Sequence, residues 1–283
     1  MNLKNFNKNG IITLNNVLKE NDLDKFYQSI LQISYFHLRK LKDKKKIVDR
    51  IYNSKKNIGD KLSKMYELFE KNDKEVLYQL QKLFPKSIDA KKILDNKNLI
   101  SIFKKLLNLK KNEPILIDGP GLFINRPKTK RLLYRWHSES HYYPKRRNFL
   151  NIWFPIFFNK NPKNGTMFVK EKSHLLSDLP FNEYQGYDVE SQGKKNHFVQ
   201  LEIPENFVKE LKTFKANLDV GDLLVFHRKS IHTSTQNLSS KYSFAVVFRV
   251  WDFSKDLTIS GDLNVSPYRD INNGRPNLEV NLD

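Results

Sequence analysis

Apolar residues recur at helical spacing through the first third of the chain. Phe26, Ile30, Ile33 and Leu38 follow Asn21-Asp22, a helix-start signal, and predict a helix over residues 23–41. Leu62, Met65, Leu68, Phe69, Val76 and Leu80 predict a second over 61–83, which Pro85 ends. Ile93, Leu94, Ile100, Phe103, Leu106 and Leu107 line the buried side of a third over 88–109. Ahead of these helices, residues 5–17 read as an extended lead-in, with Asn9-Gly10 as a turn and Ile11, Ile12 and Leu14 beyond it. After Pro114 the pattern changes to short runs of Ile, Leu, Phe, Val and Tyr separated by Gly, Pro and Asn. Strands are predicted at 115–117, 122–125, 132–137, 149–158, 166–169, 197–201, 214–218, 223–226 and 241–251. Many short strands with turn signals between them predict a jelly roll or another sandwich rather than a parallel sheet. Helices first and strands afterwards make this an α+β fold, read as one domain over 1–283 with a mainly helical part, 1–113, packed outside a β core, 114–283. The long segment 175–196, with Tyr184, Gly186, Tyr187 and Gly193, is a candidate lid or substrate loop.

Composition narrows the chemistry. A chain that is 39% hydrophobic and 12% aromatic can fill a sizeable core, and the lack of cysteine excludes disulfides, thiolate metal sites and thiol nucleophiles. Any metal must therefore rest on His, Asp and Glu. No window approaches the roughly 18 apolar residues that a bilayer span needs, and the first seven residues hold no continuous apolar run. A cytoplasmic protein without a membrane partner is the expectation. The net charge of +19 and the pI near 9.7 suit nucleic-acid binding. Against that reading, Lys, Asn and Ile are abundant together along the whole chain, as AT-rich coding produces, and no zinc finger, RNP-type motif or basic tail accompanies them. Nucleic acid is not an expected partner, and the basic run 39–46 is expected to be a solvated helix face.

The richest chemistry lies in Trp136-His137-Ser138-Glu139-Ser140-His141-Tyr142-Tyr143-Pro144. In a strand or tight turn, residues two apart point the same way, so His137 and Glu139 can present an imidazole and a carboxylate to one point. Taken alone, the pair also fits two polar residues on a strand surface. A second imidazole would complete a 2-His-1-carboxylate set, the arrangement of non-haem Fe(II) oxygenases. His232 is the candidate. It emerges just beyond the apolar run Leu223-Leu224-Val225-Phe226, and distant strands of a jelly roll meet in one mouth.

In order along the chain stand Leu122-Phe123-Ile124-Asn125-Arg126-Pro127, then His137-Ser138-Glu139-Ser140-His141-Tyr142-Tyr143-Pro144, then Asn151-Ile152-Trp153-Phe154-Pro155 with Asn164-Gly165-Thr166-Met167-Phe168-Val169 and Ser173-His174, and finally the segment around His232. Together, over about 122–251, these blocks resemble the phytanoyl-CoA dioxygenase family of Fe(II)/2-oxoglutarate-dependent oxygenases. The resemblance implies a double-stranded β-helix (jelly roll, cupin-like). It implies Fe(II) held by His137, Glu139 and His232, with 2-oxoglutarate and O2 as cosubstrates. The expected reaction is hydroxylation of a small or carrier-linked metabolite with release of succinate and CO2. The alternative is a catalytically silent jelly-roll binding protein.

Two positions depart from the family pattern. Glu139 stands where Asp is usual, and Ser243 stands where the family carries the arginine that pairs with the distal carboxylate of 2-oxoglutarate. Lys241, two residues earlier, is the expected substitute cation, sharing that carboxylate with Ser243, while Arg249 is expected to lie too far along the strand. By their places in the matching blocks, Leu122, Trp153 and Ser234 are expected to line the cosubstrate site. His141 is expected near the substrate rather than on the metal. Arg146 and Arg147, in a basic cluster beside the motif, are expected to receive an anionic substrate.

Overall fold

The structure is a computed structural model that describes residues 3–70, 80, 83–129, 133–144, 147–185, 189–191, 194–196, 199–252 and 254. The lead-in is not extended throughout. Residues Leu3–Asn9 form helix α1, which buries Phe6 and stops where Gly10, at φ +73°, donates its N–H to the Phe6 carbonyl at 2.7 Å. Asn9-Gly10 is thus a helix stop of the kind that glycine's freedom at positive φ favours. Strand β1 (Ile11–Leu14) follows directly.

Helix α2 (Glu20–Leu38) begins earlier than the pattern predicts. Asp22 lies inside its first turn, where its carboxylate accepts the Lys19 N–H at 2.9 Å. The basic run 39–46 is mainly the corner that joins α2 to α3 (Lys45–Tyr52), a helix the periodicity did not reveal. Helix α4 (Ile58–Glu70) is the described part of the second predicted helix; residues 71–79 and the predicted Val76 lie outside the described residues. The third predicted helix is two, α5 (Ile88–Lys92) and α6 (Lys97–Leu107). Asn96 divides them because its side-chain oxygen accepts the Asn98 and Leu99 N–H groups at 3.0 and 3.2 Å, a bond available to a cap and not to a helix interior.

The β core comprises β2 (Leu116–Asn125), β3 (Phe149–Ile156), β4 (Met167–Lys170), β5 (Asn182–Gln185), β6 (Val189–Ser191), β7 (Lys194–Asn196), β8 (Val199–Glu202), β9 (Thr213–Lys215), β10 (Leu223–His227), β11 (His232–Ser234) and β12 (Ser243–Trp251). Two predicted strands merge in β2, which runs straight through Gly119-Pro120. At Gly119 (φ +119°) an added Cβ would come within 2.9 Å of the Phe248 Cβ, so only glycine allows that close approach. The predicted strand 132–137 reduces, in its described part, to a bridge between His137 and His232. Residues 175–196 are not a bare loop either: β5 pairs with β8, and β6 with β7.

One antiparallel sheet has the order β1-β10-β3-β12-β2, and a second has β11-β4-β9, extended by the bridges at His137 and Leu218. Strand alternation assigns the two faces of the larger sheet. Leu122, Ile152, Phe154, Phe244, Val246 and Phe248 face outward into a core shared with Phe26 of α2 and Phe103 of α6. Trp153, Leu224, Phe226 and Ala245 face inward and meet Val169, Ala216 and Leu218 from the second sheet. Two sheets facing each other, with helices covering the outside of the larger one, make this a double-stranded β-helix. Among the described residues, no helix is long and apolar enough to cross a membrane.

One interior histidine has a measurable consequence. His227, at the end of β10 and 5.3 Å from the His174 ring, has its pKa pushed down to about 3 by burial, with the His174, Arg228 and Lys229 charges adding to the effect. The folded protein therefore resists a proton that the unfolded chain accepts near pH 6.5. Stability is expected to be fully present above pH 6.5 and to fall toward pH 4 by up to about 1.4 kcal/mol per pH unit from this residue. Urea unfolding across that range should show a shallower loss for His227→Gln; an unchanged slope would assign the acid sensitivity elsewhere.

Candidate metal centre

The two-residue spacing of His137 and Glu139 works through a junction, not through strand alternation. His137 is bridged to His232, Ser138 caps the short helix α7 (Glu139–Tyr142) by accepting the Ser140 N–H, and Glu139 opens that helix. The Ser138 hydroxyl also lies 3.2 Å from the Arg228 carbonyl, to which it donates, tying the junction to the turn after β10. The backbone exchanges His137 N–H to His232 O (3.0 Å) and His232 N–H to His137 O (2.9 Å) place the two imidazoles side by side. Their ring centres are 4.1 Å apart.

Both rings are held in one tautomer. The His137 Nδ1 lies 2.7 Å from the Arg135 carbonyl and the His232 Nδ1 lies 3.0 Å from the Ser230 carbonyl. A carbonyl can only accept, so each Nδ1 carries a proton, which fixes the tautomer whose Nε2 offers a lone pair to a metal. The two Nε2 atoms lie 3.8 and 3.9 Å from the same oxygen, Oε1 of Glu139. One ligand atom from each of the three residues lies within 4.8 Å of the others, and all three side chains are buried.

Charge completes the set. Burial alone would raise the Glu139 pKa, but Arg249, 2.8 Å from its other oxygen, and the two imidazoles hold it well below the usual carboxylate range. Burial, reinforced by His137, pushes His232 down to about 3. A carboxylate kept charged and an imidazole kept neutral are the forms that bind a divalent cation. Oxygen and imidazole donors with no sulfur suit iron among the redox metals.

Residues 6–244 match the family described as phytanoyl-CoA dioxygenase (PhyH). The chain belongs to the phytanoyl-CoA dioxygenase family. Solved structures agree on the fold. The epimerase SnoN, in complex with Fe3+, α-ketoglutarate and nogalamycin RO, aligns over 94% of this chain and 88% of its own, with a TM-score of 0.55 and 10% identity. ThoJ, a non-haem monooxygenase, aligns over 88% of this chain and 77% of its own, with a TM-score of 0.54 and 17% identity. EctD from S. alaskensis, with 2-oxoglutarate and 5-hydroxyectoine, aligns over 89% and 76%, with a TM-score of 0.50 and 11% identity. Among curated proteins no sequence relative matches.

The other expected site residues of this family member are scattered. Trp153 is in the inward cluster, whereas Leu122, one strand position off, faces outward toward the helices. The Ser234 hydroxyl accepts the Tyr134 N–H at 2.9 Å and so holds the segment before His137. Lys241 is not in the barrel. Strand β12 starts only at Ser243, the Lys241 carbonyl accepts from Asn237, and the Lys241 side chain, 61% exposed, pairs with Asp60 at 2.9 Å. Ser243 does face inward, and its hydroxyl is buried with no hydrogen-bond partner. His141 lies 3.0 Å from the Leu179 carbonyl through Nε2, against Phe181, and is lowered in pKa by burial. Its Nδ1 has no partner. Arg147 is exposed, and Arg146 lies outside the described residues.

Three interior residues were not anticipated. Arg249 reaches the Glu139 carboxylate because both lie at the same end of the barrel. Asn151, directly across from Arg249 in the β3–β12 ladder, has both side-chain amide atoms buried without partners. Lys160, just past β3, is fully buried. Asn151 precedes a conspicuous Ile-Trp-Phe run and has the inward parity of Trp153, a signal that was legible. Lys160, in Asn159-Lys160-Asn161-Pro162-Lys163-Asn164, looks like any surface lysine of a basic chain.

Proposed function

We propose that the protein is an Fe(II)/2-oxoglutarate-dependent oxygenase that hydroxylates a small or carrier-linked metabolite. The observation that carries this reading is the convergence of two Nε2 atoms and one charged carboxylate oxygen on buried side chains inside the β core. The Nε2 atoms of His137 and His232 and the Oε1 of Glu139 would hold the iron. In a six-coordinate ion three positions then stay open for other ligands. Iron, 2-oxoglutarate and O2 together supply the oxidising power to attack a C–H bond, with succinate and CO2 as coproducts.

The chain's own residues prepare the site. Arg249 occupies Glu139 Oε2 and leaves Oε1 facing the imidazoles. The partnerless Asn151 amide, buried in the same cross-strand row, fits a polar cosubstrate better than an apolar one, because an unpaired buried amide is costly. His141 offers Nδ1 as a neutral acceptor on the side where Phe181 packs, a place suited to a substrate hydroxyl or amine. The basic cluster that includes Arg147 favours an anionic substrate. SnoN and EctD, whose structures contain 2-oxoglutarate, support this assignment at the level of fold.

Adding Fe(II) and 2-oxoglutarate to the pure protein without oxygen is expected to produce a weak visible charge-transfer band. Admitting oxygen should release succinate, slowly alone and faster with the right member of a panel of phosphorylated, carboxylated and carrier-linked metabolites. Absence of both the band and succinate would overturn the proposal; a band without succinate would favour the silent binding protein.

A further inference from the structure

Lys160 is a buried cation with no acid beside it. Its backbone pairs with Leu218, a member of the inward cluster, and its side chain is 0% exposed. The ammonium donates to the Asn125 Oδ1 at 2.7 Å, and no acidic side chain among the described residues lies against it. A lysine ammonium has three donors, so one bond leaves it underused. Asn125 is directly opposite Ser243 in the β2–β12 ladder. Paired residues share a face, with Cβ atoms roughly 5 Å apart. The Lys160 ammonium and the partnerless Ser243 hydroxyl, itself 2% exposed, therefore sit together inside the barrel. The iron ligands lie toward the other end of β12, where Arg249 meets Glu139.

We propose that Lys160, with Ser243 beside it, binds the distal carboxylate of 2-oxoglutarate, the task for which Lys241 is wrongly placed. This rests on the oxygenase reading above. An isolated charge in such a place is strongly disfavoured, and burial moves the Lys160 pKa well below the ordinary lysine value. A carboxylate would supply the missing counter-charge and at the same time an acceptor for the Ser243 hydroxyl. Lys160 extends from the segment after β3, whereas the position on β12 itself holds only the short serine. The long side chain thus brings to the interior what the strand residue cannot.

The test compares two keto acids, 2-oxoglutarate and 2-oxobutyrate, titrated into anaerobic Fe(II)-loaded protein and followed by the charge-transfer band. Both carry the same metal-binding head, and only the first has a distal carboxylate. Lys160→Met is expected to weaken 2-oxoglutarate by about 100-fold, the scale for removing one partner of a buried, hydrogen-bonded charge pair. It should leave 2-oxobutyrate within about twofold of wild type. Ser243→Ala is expected to weaken 2-oxoglutarate by about fivefold, the scale of one hydrogen bond. Lys241→Met should change neither. The apoprotein with Lys160→Met should melt no lower than wild type, because an apolar side chain of similar shape replaces an uncompensated buried amine. Should it fail to fold, Lys160→Gln carries the same expectation. Unchanged 2-oxoglutarate binding in the Lys160 variant, equal loss of both keto acids, or a selective loss in Lys241→Met instead would each overturn the assignment. A wild-type protein with no band for either acid and no succinate on admitting oxygen would take down the oxygenase reading itself, a result distinct from a normal wild type with an indifferent Lys160.

Discussion

His137→Ala and His232→Ala are each expected to lose Fe(II) binding by more than about 100-fold, with activity falling in step. The magnitude follows from what each ring supplies. Removing a hydrogen-bond partner outside the ligand set typically costs a metal site 10- to 100-fold, so removing a ligand itself should exceed that range. Among the described residues no other imidazole faces the site. His141 is turned to the Leu179 carbonyl, and His174 lies 3.0 Å from the Asn7 carbonyl through its Nε2, beside the His227 ring. The substitution should leave the fold intact, since the sheets are held by cores that do not depend on these rings. Competition with a coloured chelator, run beside far-UV circular dichroism, reads both quantities. Iron affinity within a few fold of wild type in either variant would remove that residue from the ligand set.

Arg249→Met is expected to have the second large effect, and to act on stability. The pair it breaks is largely buried, with Arg249 4.9 Å from the Tyr143 ring centre and bonded to the buried Glu139 at 2.8 Å. Removing one partner of such a pair leaves an uncompensated carboxylate and costs about 3–5 kcal/mol. Glu139 should respond by rising in pKa toward neutrality, because burial already pushes in that direction and the counter-charge is gone. Two further results distinguish this cause from lost packing. Fe(II) should restore part of the lost stability in anaerobic urea unfolding, because the ion supplies positive charge at the same carboxylate. The double variant Glu139→Gln/Arg249→Met should be more stable than Arg249→Met alone. If neither compensation appears, Arg249 acts by filling space and not by charge.

Much of the site was legible before the fold was known. His137 and Glu139 announce themselves by spacing beside an aromatic-rich segment, and His232 by its place after an apolar strand that a turn precedes. These signals survive even though the local geometry differs, because a strand end running into a helix cap also puts residues two apart on one side. The cosubstrate end was not legible. Lys241 was the natural substitute for an arginine by parity with Ser243, but parity counts only within a strand, and β12 begins at Ser243. Arg249 enters the sequence reading only as a cation for the cosubstrate carboxylate; its pairing with Glu139 depends on α7, which brings Glu139 to that end of β12. The helical region shows the same limit in milder form. Periodicity found α2 and α4 but ran α5 and α6 together, because the Asn96 cap that divides them is one polar residue in an otherwise helical pattern.

The sequence by itself determined that a mainly helical first third precedes a strand-rich remainder, and which three residues have the chemistry to suit a metal. Each of these depends on covalent neighbours and on fixed periods, which a linear chain displays. The tertiary structure alone decided which cations lie inside. Lys160 and Lys241 are the same side chain in similarly polar surroundings along the chain, yet one is enclosed beside Asn125 and Ser243 and the other meets Asp60 at the surface. Desolvation and counter-charge set what a lysine does, and both come from residues far away in sequence that only folding brings near.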